Sequence, residues 1–277
     1  QEDAYILNLP IDMMALSGDE KNQFENWVTH NYPHKGPSRF PPRHVFGQYI
    51  AHTAEELCFI AKGHGINLQF KTNTEIIAVE PLKSHNRYQV SSKKESFEAD
   101  HVIFCIGHMP SCNYRQFIGK SGYHHNPWSN KGYEQIDSDQ PVAVLGSRIS
   151  AIDVVMKLKS SGHTGKISLF SRDGLLPSVL SNSVPAYPLQ YLTLNNINQY
   201  KSTNGQLPLK VLINLFWKEV SQAENKTVTF EQIIDSHKHY SALERLQKEI
   251  HQAERGARPW QQVLFSLYPI IPHIWPS

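Results

Sequence analysis

Apolar residues in this chain alternate between short unbroken runs and helical steps, and the change of rhythm is sharpest between Pro141 and Pro177. Val142 to Leu145 is an apolar run that Gly146 interrupts, and Ile149, Ile152, Val155, Met156 and Leu158 then recur at helical spacing. Gly162 and Gly165 end that series, and Ile167 to Phe170 is a second apolar run. The pattern predicts strand, tight turn, helix, strand: one βαβ unit. Upstream, Ser17 to Asp19 predicts the cap of a helix through Phe24 and Trp27, and the proline-rich Asn31 to Pro42 predicts irregular chain. Val45, Tyr49, His52 or Thr53, Leu57 and Ile60 predict a helix from His44 to Gly63. Strands are expected at Asn67 to Lys71, Glu75 to Glu80 and Arg87 to Ser91, followed by a fully buried strand, Ala99 to His108, that empties into Gly107.

Past Pro110 the composition shifts, and Asn113 to Gln140, rich in Asn, Gly, Tyr and Ser, reads as a connecting excursion. After Pro177 strand character is lost. Asn182 to Asn204 reads as loop, Pro208 to Glu224 as an amphipathic helix, and Ser236 to Arg255 as a helix through Tyr240, Leu243, Leu246 and Ile250 with Glu244 and Lys248 at the four-residue step. Trp260 to Trp275 reads as a last apolar helix broken by Pro269 and Pro272. The resulting division is 1–112, a connector 113–140, and 141–277.

A strand that turns tightly into a helix aims backbone N–H groups and a positive helix end at a pyrophosphate. Against the fingerprint G-x-G-x-x-G/A, the segment Gly146, Ser147, Arg148, Ile149, Ser150, Ala151 keeps the first glycine and the small last residue, with arginine at the second glycine. That arginine either blocks the approach of a dinucleotide or replaces close backbone contact by a guanidinium on phosphate. Asp153, one turn into the helix, reads as first-turn charge or helix-surface polarity. Arg172 follows the second strand, where a cation accommodates the 2′-phosphate of NADP and an acid would suit NAD; the other reading is an arginine capping a strand end.

Composition narrows the partners. The chain of 277 residues is 40% hydrophobic and 19% charged, as soluble globular proteins are, and no apolar run approaches the length of a membrane span. A formal net charge of +2 without a basic cluster gives no case for nucleic acid. Cys58, Cys105 and Cys112 lack disulfide or C-x-x-C spacing, which fits a reducing compartment, and Cys105 is expected as a small core residue. No basic-then-apolar leader pattern opens the chain, so a cytoplasmic location is expected. The histidine pairs His30 with His34, His124 with His125, and His237 with His239 lack companion ligands, and no metal site is expected.

Several segments together resemble one family, the FAD-NAD(P)-binding proteins related to the two-dinucleotide fold of glutathione reductase and the N-hydroxylating monooxygenases. They are Leu7-Asn8-Leu9-Pro10 with Met13; Phe40-Pro41-Pro42-Arg43 with Phe46-Gly47-Gln48-Tyr49; and Ala99-Asp100 leading to Cys105-Ile106-Gly107-His108. Val144-Leu145-Gly146 to Ala151-Ile152-Asp153, Gly162 to Gly165, Ser171-Arg172 to Pro177, and Trp260-Gln261 to Ile274-Trp275 continue the match. The resemblance implies an α/β, Rossmann-like two-dinucleotide flavoprotein fold with a helical C-terminal segment. In it 1–112 would be part of an FAD domain and 141–277 an NAD(P)-binding unit with a helical insert. The family's first βαβ unit, with its FAD fingerprint, is not in these residues, so the fold is expected to be incomplete at both ends.

By the same resemblance, Gly107 and His108 correspond to a turn passing close to the cofactor, and the backbone of Ile76 meets the adenine unless Ile76 is plain core. Asn8 and Arg43 face the flavin side or serve as loop hydrogen-bonding groups. With Gly146, Ser147, Arg148, Ile149, Ser150 and Arg172 these are the expected cofactor-binding residues; the cofactors are FAD and NADP, with NAD possible. The implied function is an FAD-dependent oxidoreductase in which NAD(P)H reduces a flavin that acts on oxygen or a small substrate. The alternative is a non-catalytic flavoprotein relative that binds or interacts. No nucleophile or paired-carboxylate signature is present, as suits chemistry that resides in the cofactor, and no catalytic residue is assigned.

Overall fold

The N-terminal segment is held against the start of a long helix. Leu7 N–H donates to Pro41 O (2.9 Å), Ile11 N–H to Arg39 O (2.8 Å) and Arg43 N–H to Tyr5 O (2.7 Å), around an isolated antiparallel bridge between Ile6 and Pro42. The structure is a computed structural model that describes residues 2–16, 22–33, 38–82, 86–107, 111–202, 205–229 and 240–274. The expected helix cap at Ser17 to Asp19 lies outside the described residues, as do His34, His108, His237 and His239.

Two units divide the chain: Gln1–Gln140 with Met156–Gly165, and Pro141–Val155 with Lys166–Ser277. In the first, α1 (Gln23–Asn31) and α2 (Arg43–Gly63) pack through residues spaced three and four apart. Phe24, fully buried, meets Phe46 edge-on at 5.0 Å and Tyr49 at 5.2 Å, and Leu7, Ile11, Val28 and Val45 complete the core. Aromatic pairs in such tilted arrangements add about 0.5–1.5 kcal/mol each beyond their buried area. A separate antiparallel meander follows: β1 (Ile76–Leu82), β2 (Arg87–Ser92) and β3 (Ser96–Ala99), with Val79 opposite Val90 and Val90 opposite Phe97. Arg87 ties it by ion pairs to Glu98 (2.6 Å) and Asp100 (3.0 Å).

Here two sequence expectations fail. Asn67 to Lys71 forms no strand and is exposed throughout. The run Ala99 to His108 is not a buried strand either: β3 ends at Ala99, residues 101–107 join no ladder, Ile103 is 86% exposed, and Cys105 is exposed rather than core. A strand buried on both faces needs hydrogen-bonded neighbours and covering layers. None stands beside this run among the described residues.

In the second unit, β4 (Val142–Leu145) and β5 (Ile167–Phe170) pair in parallel, Val142 opposite Ile167 and Leu145 opposite Phe170. The connection is α4 (Ile149–Ser160), following the four-residue helix α3 (Asn130–Tyr133) of the first unit. Ile149 and Met156, expected on the buried face of α4, are exposed, whereas Ala151, Asp153, Lys157 and Leu158 are buried. Asp153 is therefore not surface polarity: the helix turns its charged stripe inward.

The remainder is helical: α5 (Leu194–Tyr200), α6 (Leu209–Ala223), α7 (Ala242–Arg255), α8 (Pro259–Leu267) and the short α9 (Ile271–Ile274). α5 lies in the stretch expected to be loop; Thr193 caps it by accepting from Asn196 N–H (3.3 Å), a cap signal hidden among prolines. α6 packs on α8 around Leu192, Leu215, Val220, Val263 and Leu267. Inside this core Glu219 is fully buried and accepts backbone N–H bonds from Gln190 (2.9 Å), Tyr191 (2.7 Å) and Leu192 (2.8 Å). α7 starts with a reciprocal Ser241–Glu244 capping box. It buries Arg245 and Glu249 and leaves Leu243 and Ile250 exposed, the reverse of its apolar periodicity, because the Glu249 carboxylate takes the Val179 N–H (2.8 Å). No helix among the described residues is long and apolar enough to cross a membrane.

Candidate functional site

The turn between β4 and α4 is built on Gly146, whose φ of +126° only glycine adopts without strain. Gly146 N–H donates to Phe170 O (2.7 Å), locking the end of β4 to β5, and a Cβ at Gly146 would meet nothing within 4 Å. Buried Ser147 turns inward and donates its hydroxyl to Leu175 O (2.6 Å), which pins the loop after β5. The first intrahelical acceptor in α4 is Arg148 O, used by Ala151 and Ile152 N–H (2.9 and 3.2 Å), so the amides of Ile149 and Ser150 start the helix without an intrahelical partner. That is the donor set an oxyanion needs at a helix N-terminus.

Arg148 stands at this turn as an exposed side chain. It is 65% exposed, and its guanidinium is only loosely paired with the Asp173 carboxylate, 4.0 Å away. Such an exposed pair contributes about 0–1 kcal/mol. Arg172 is exposed at the exit of β5, next to Asp173 in sequence. The expected residues Gly146, Ser147, Arg148, Ile149, Ser150 and Arg172 thus share one end of the βαβ unit, with Ser147 committed to the scaffold. The residues present fit a diphosphate: open space beside Gly146, outward amides and two arginines against one aspartate.

In the first unit the structure brings Asn8 and Arg43 together. Arg43 Nη2 donates to Asn8 Oδ1 (3.1 Å), and its guanidinium carbon stands 5.7 Å from the Trp128 ring. Trp128 meets Tyr5 at 5.9 Å, and the Lys157 ammonium stands 5.7 Å from the Tyr5 ring. Tyr5, Trp128 and Lys157 carried no signal in the sequence: they come from three distant segments, and only folding assembles them. Ile76 opens β1 with its side chain 42% exposed, so it is not core. Gly107 has φ +70° with open space around it, a left-handed turn, and His108 lies outside the described residues. Among the described residues no group of three or more His, Cys, Asp or Glu could hold a metal ion.

No curated protein and no solved structure matches the chain. A family match does exist: residues 1–109, which contain the Asn8–Arg43 pair, α1, α2 and the β1–β3 meander, match the FAD-NAD(P)-binding family. That match spans 109 of the 277 residues, and over them the chain is similar to the FAD-NAD(P)-binding family.

Proposed function

We propose that this protein is an oxidoreductase of the flavin-dependent kind, using NADPH bound at the Gly146 turn to reduce FAD. The family match over residues 1–109 carries the dinucleotide reading, and the open Gly146 mouth supports it from the chain's own geometry. When bound, NADPH supplies a hydride to the flavin, and the reduced flavin acts on oxygen or a small substrate. The chain's part is to bind and orient. The amides of Ile149 and Ser150 and the Arg148 guanidinium hold the diphosphate, and Arg172 selects a 2′-phosphate over a free ribose hydroxyl. On the other unit, Asn8 and Arg43 form a fixed polar pair for the flavin side, with Gly107 supplying a close-approach turn.

A second reading, a relative that binds without catalysing, is favoured by one observation: Arg148 stands where the fingerprint has its second glycine. Anaerobic titration separates the two. With FAD kept in excess over the protein, the flavin is expected to bleach on addition of NADPH faster than FAD alone does. Bleaching no faster than without the protein sinks the oxidoreductase reading, and faster bleaching sinks the inert one. NADH in place of NADPH tests Arg172: equal bleaching rates with both nucleotides would remove its assigned role.

A further inference from the structure

The loop from Val179 to Tyr187 is tied to the helices α7 and α8 at both ends. At its start both backbone groups of Val179 are held by buried side chains: its N–H donates to the Glu249 carboxylate of α7 (2.8 Å), and its carbonyl accepts from Gln261 Nε2 of α8 (2.8 Å). At its end Tyr187 N–H donates to Ser266 Oγ of α8 (2.8 Å). Between these anchors the loop and the α7–α8 junction border an open cleft of about 460 Å³, within the range of roughly 300–1,000 Å³ usual for small-molecule sites. Asn182 and Ser183 lie on the loop side of the cleft, and Glu254, Arg255, Gly256 and Gln262 on the helix side, all of them in the second unit.

The lining carries one charge of each sign. Arg255 is exposed and makes no ion pair or side-chain hydrogen bond with a described residue. Glu254, also exposed, has a loose contact with His251 at 3.7 Å, an ion pair only when that imidazole is protonated. The end of α7 adds to the negative side. Gly256 N–H returns to Gln252 O (3.2 Å), and the carbonyls beyond it end the helix without an intrahelical partner, at the negative pole of its dipole. Gly256 itself, at φ +143°, leaves open space where a side chain would stand. An anion alone would be drawn by Arg255 and repelled by Glu254 and the helix end, and a cation alone would meet the reverse. A small molecule with both charges on neighbouring atoms satisfies both walls. We propose that this cleft binds a free α-amino acid, its carboxylate on the Arg255 guanidinium and its ammonium on the Glu254 carboxylate, with Asn182 and Ser183 as further hydrogen-bonding groups. The site depends neither on a dinucleotide at the Gly146 turn nor on a flavin.

The test adds the common L-amino acids singly to the full chain in thermal melts and titrates by calorimetry those that raise the melting temperature. At least one is expected to bind. The amine left by removing its carboxylate, and the acid left by removing its amino group, should each bind roughly ten- to hundredfold more weakly, the loss expected for one charged hydrogen bond. Arg255→Gln and Glu254→Gln should each weaken the amino acid by that same factor while melting, without ligand, close to the parent, since both side chains are exposed. Three results overturn the site: no amino acid binds, the amine or the acid binds as tightly as the amino acid, or either variant keeps the parent's affinity. Arg148→Ala should leave amino-acid binding unaltered, and a loss there would move the ligand to the Gly146 turn and overturn the cleft as its site. NADPH affinity, measured on the same proteins, should be indifferent to Arg255→Gln and Glu254→Gln, so a failed dinucleotide reading and a failed amino-acid site are told apart.

Discussion

Glu219 is the residue whose replacement should most disturb the helical half of the second unit. Its carboxylate is fully buried, and its two oxygens accept three backbone N–H groups: Oε1 from Gln190, and Oε2 from Tyr191 and Leu192. The sign of that charge is felt nearby, because burial first, and then Glu219 and Tyr191, hold the Tyr187 hydroxyl above its ordinary range. In Glu219→Gln the amide oxygen can keep Tyr191 and Leu192, now as neutral bonds, each weaker by about 1 kcal/mol. The amide NH2 then confronts the Gln190 N–H, donor against donor, which leaves an orphaned buried group costing about 1–3 kcal/mol. The sum is a loss of about 3–5 kcal/mol, a large share of the roughly 5–15 kcal/mol typical of a folded protein. Urea denaturation followed by far-ultraviolet circular dichroism measures it, and amide hydrogen exchange should show Gln190 released first. A Glu219→Gln protein within about 1 kcal/mol of the parent would refute the reasoning, since the carboxylate would then not be what holds residues 190–192.

Other outcomes test the remaining geometry. Arg148→Ala should leave the melting temperature unchanged, its ion pair with Asp173 being loose and exposed, while NADPH affinity falls roughly ten- to hundredfold; unchanged or tighter binding would show that the guanidinium is no phosphate ligand. Gly165→Ala should destabilise strongly, because a Cβ there would stand 2.6 Å from the carbonyl oxygen of Asp139, and a melt matching the parent's would contradict that crowding. Gly146→Ala meets open space and suffers only its φ of +126°, a cost of about 1–3 kcal/mol readable in the same melt. Glu244 is held below its ordinary 4.5 by hydrogen bonds from the Ser241 backbone and side chain. A carboxyl lowered on folding stabilises above its unfolded value and loses that contribution as pH falls through the folded one. Helix signal at α7 should therefore weaken on acidification below that value, and Ser241→Ala should flatten the dependence; an unchanged pH profile in the variant would remove the capping box as its cause.

The sequence by itself determined those elements whose signal is local. Helix α6 follows from Leu209, Leu212, Leu215, Phe216 and Val220, α2 from the spacing around Val45 and Tyr49, and the β4–Gly146–α4–β5 unit from two apolar runs with glycine breaks. The turn at Gly146 was legible because a positive φ demands a particular residue. Tertiary structure alone decided what required partners. An apolar run such as 102–106 specifies a buried strand only if neighbouring strands are there to bond it, and among the described residues none are. Charged positions at helical spacing look like a solvated face, yet Asp153, Lys157, Arg245 and Glu249 are buried and Leu243 is exposed, because the side that docks is set by what the helix meets. The Asn8–Arg43 contact joins residues 35 apart, and Lys157 reaches the Tyr5 ring across more than half the length of the chain. Periodicity reports only on neighbours within a turn or two, so the cluster of cations on aromatic rings exists in the fold and not in the pattern.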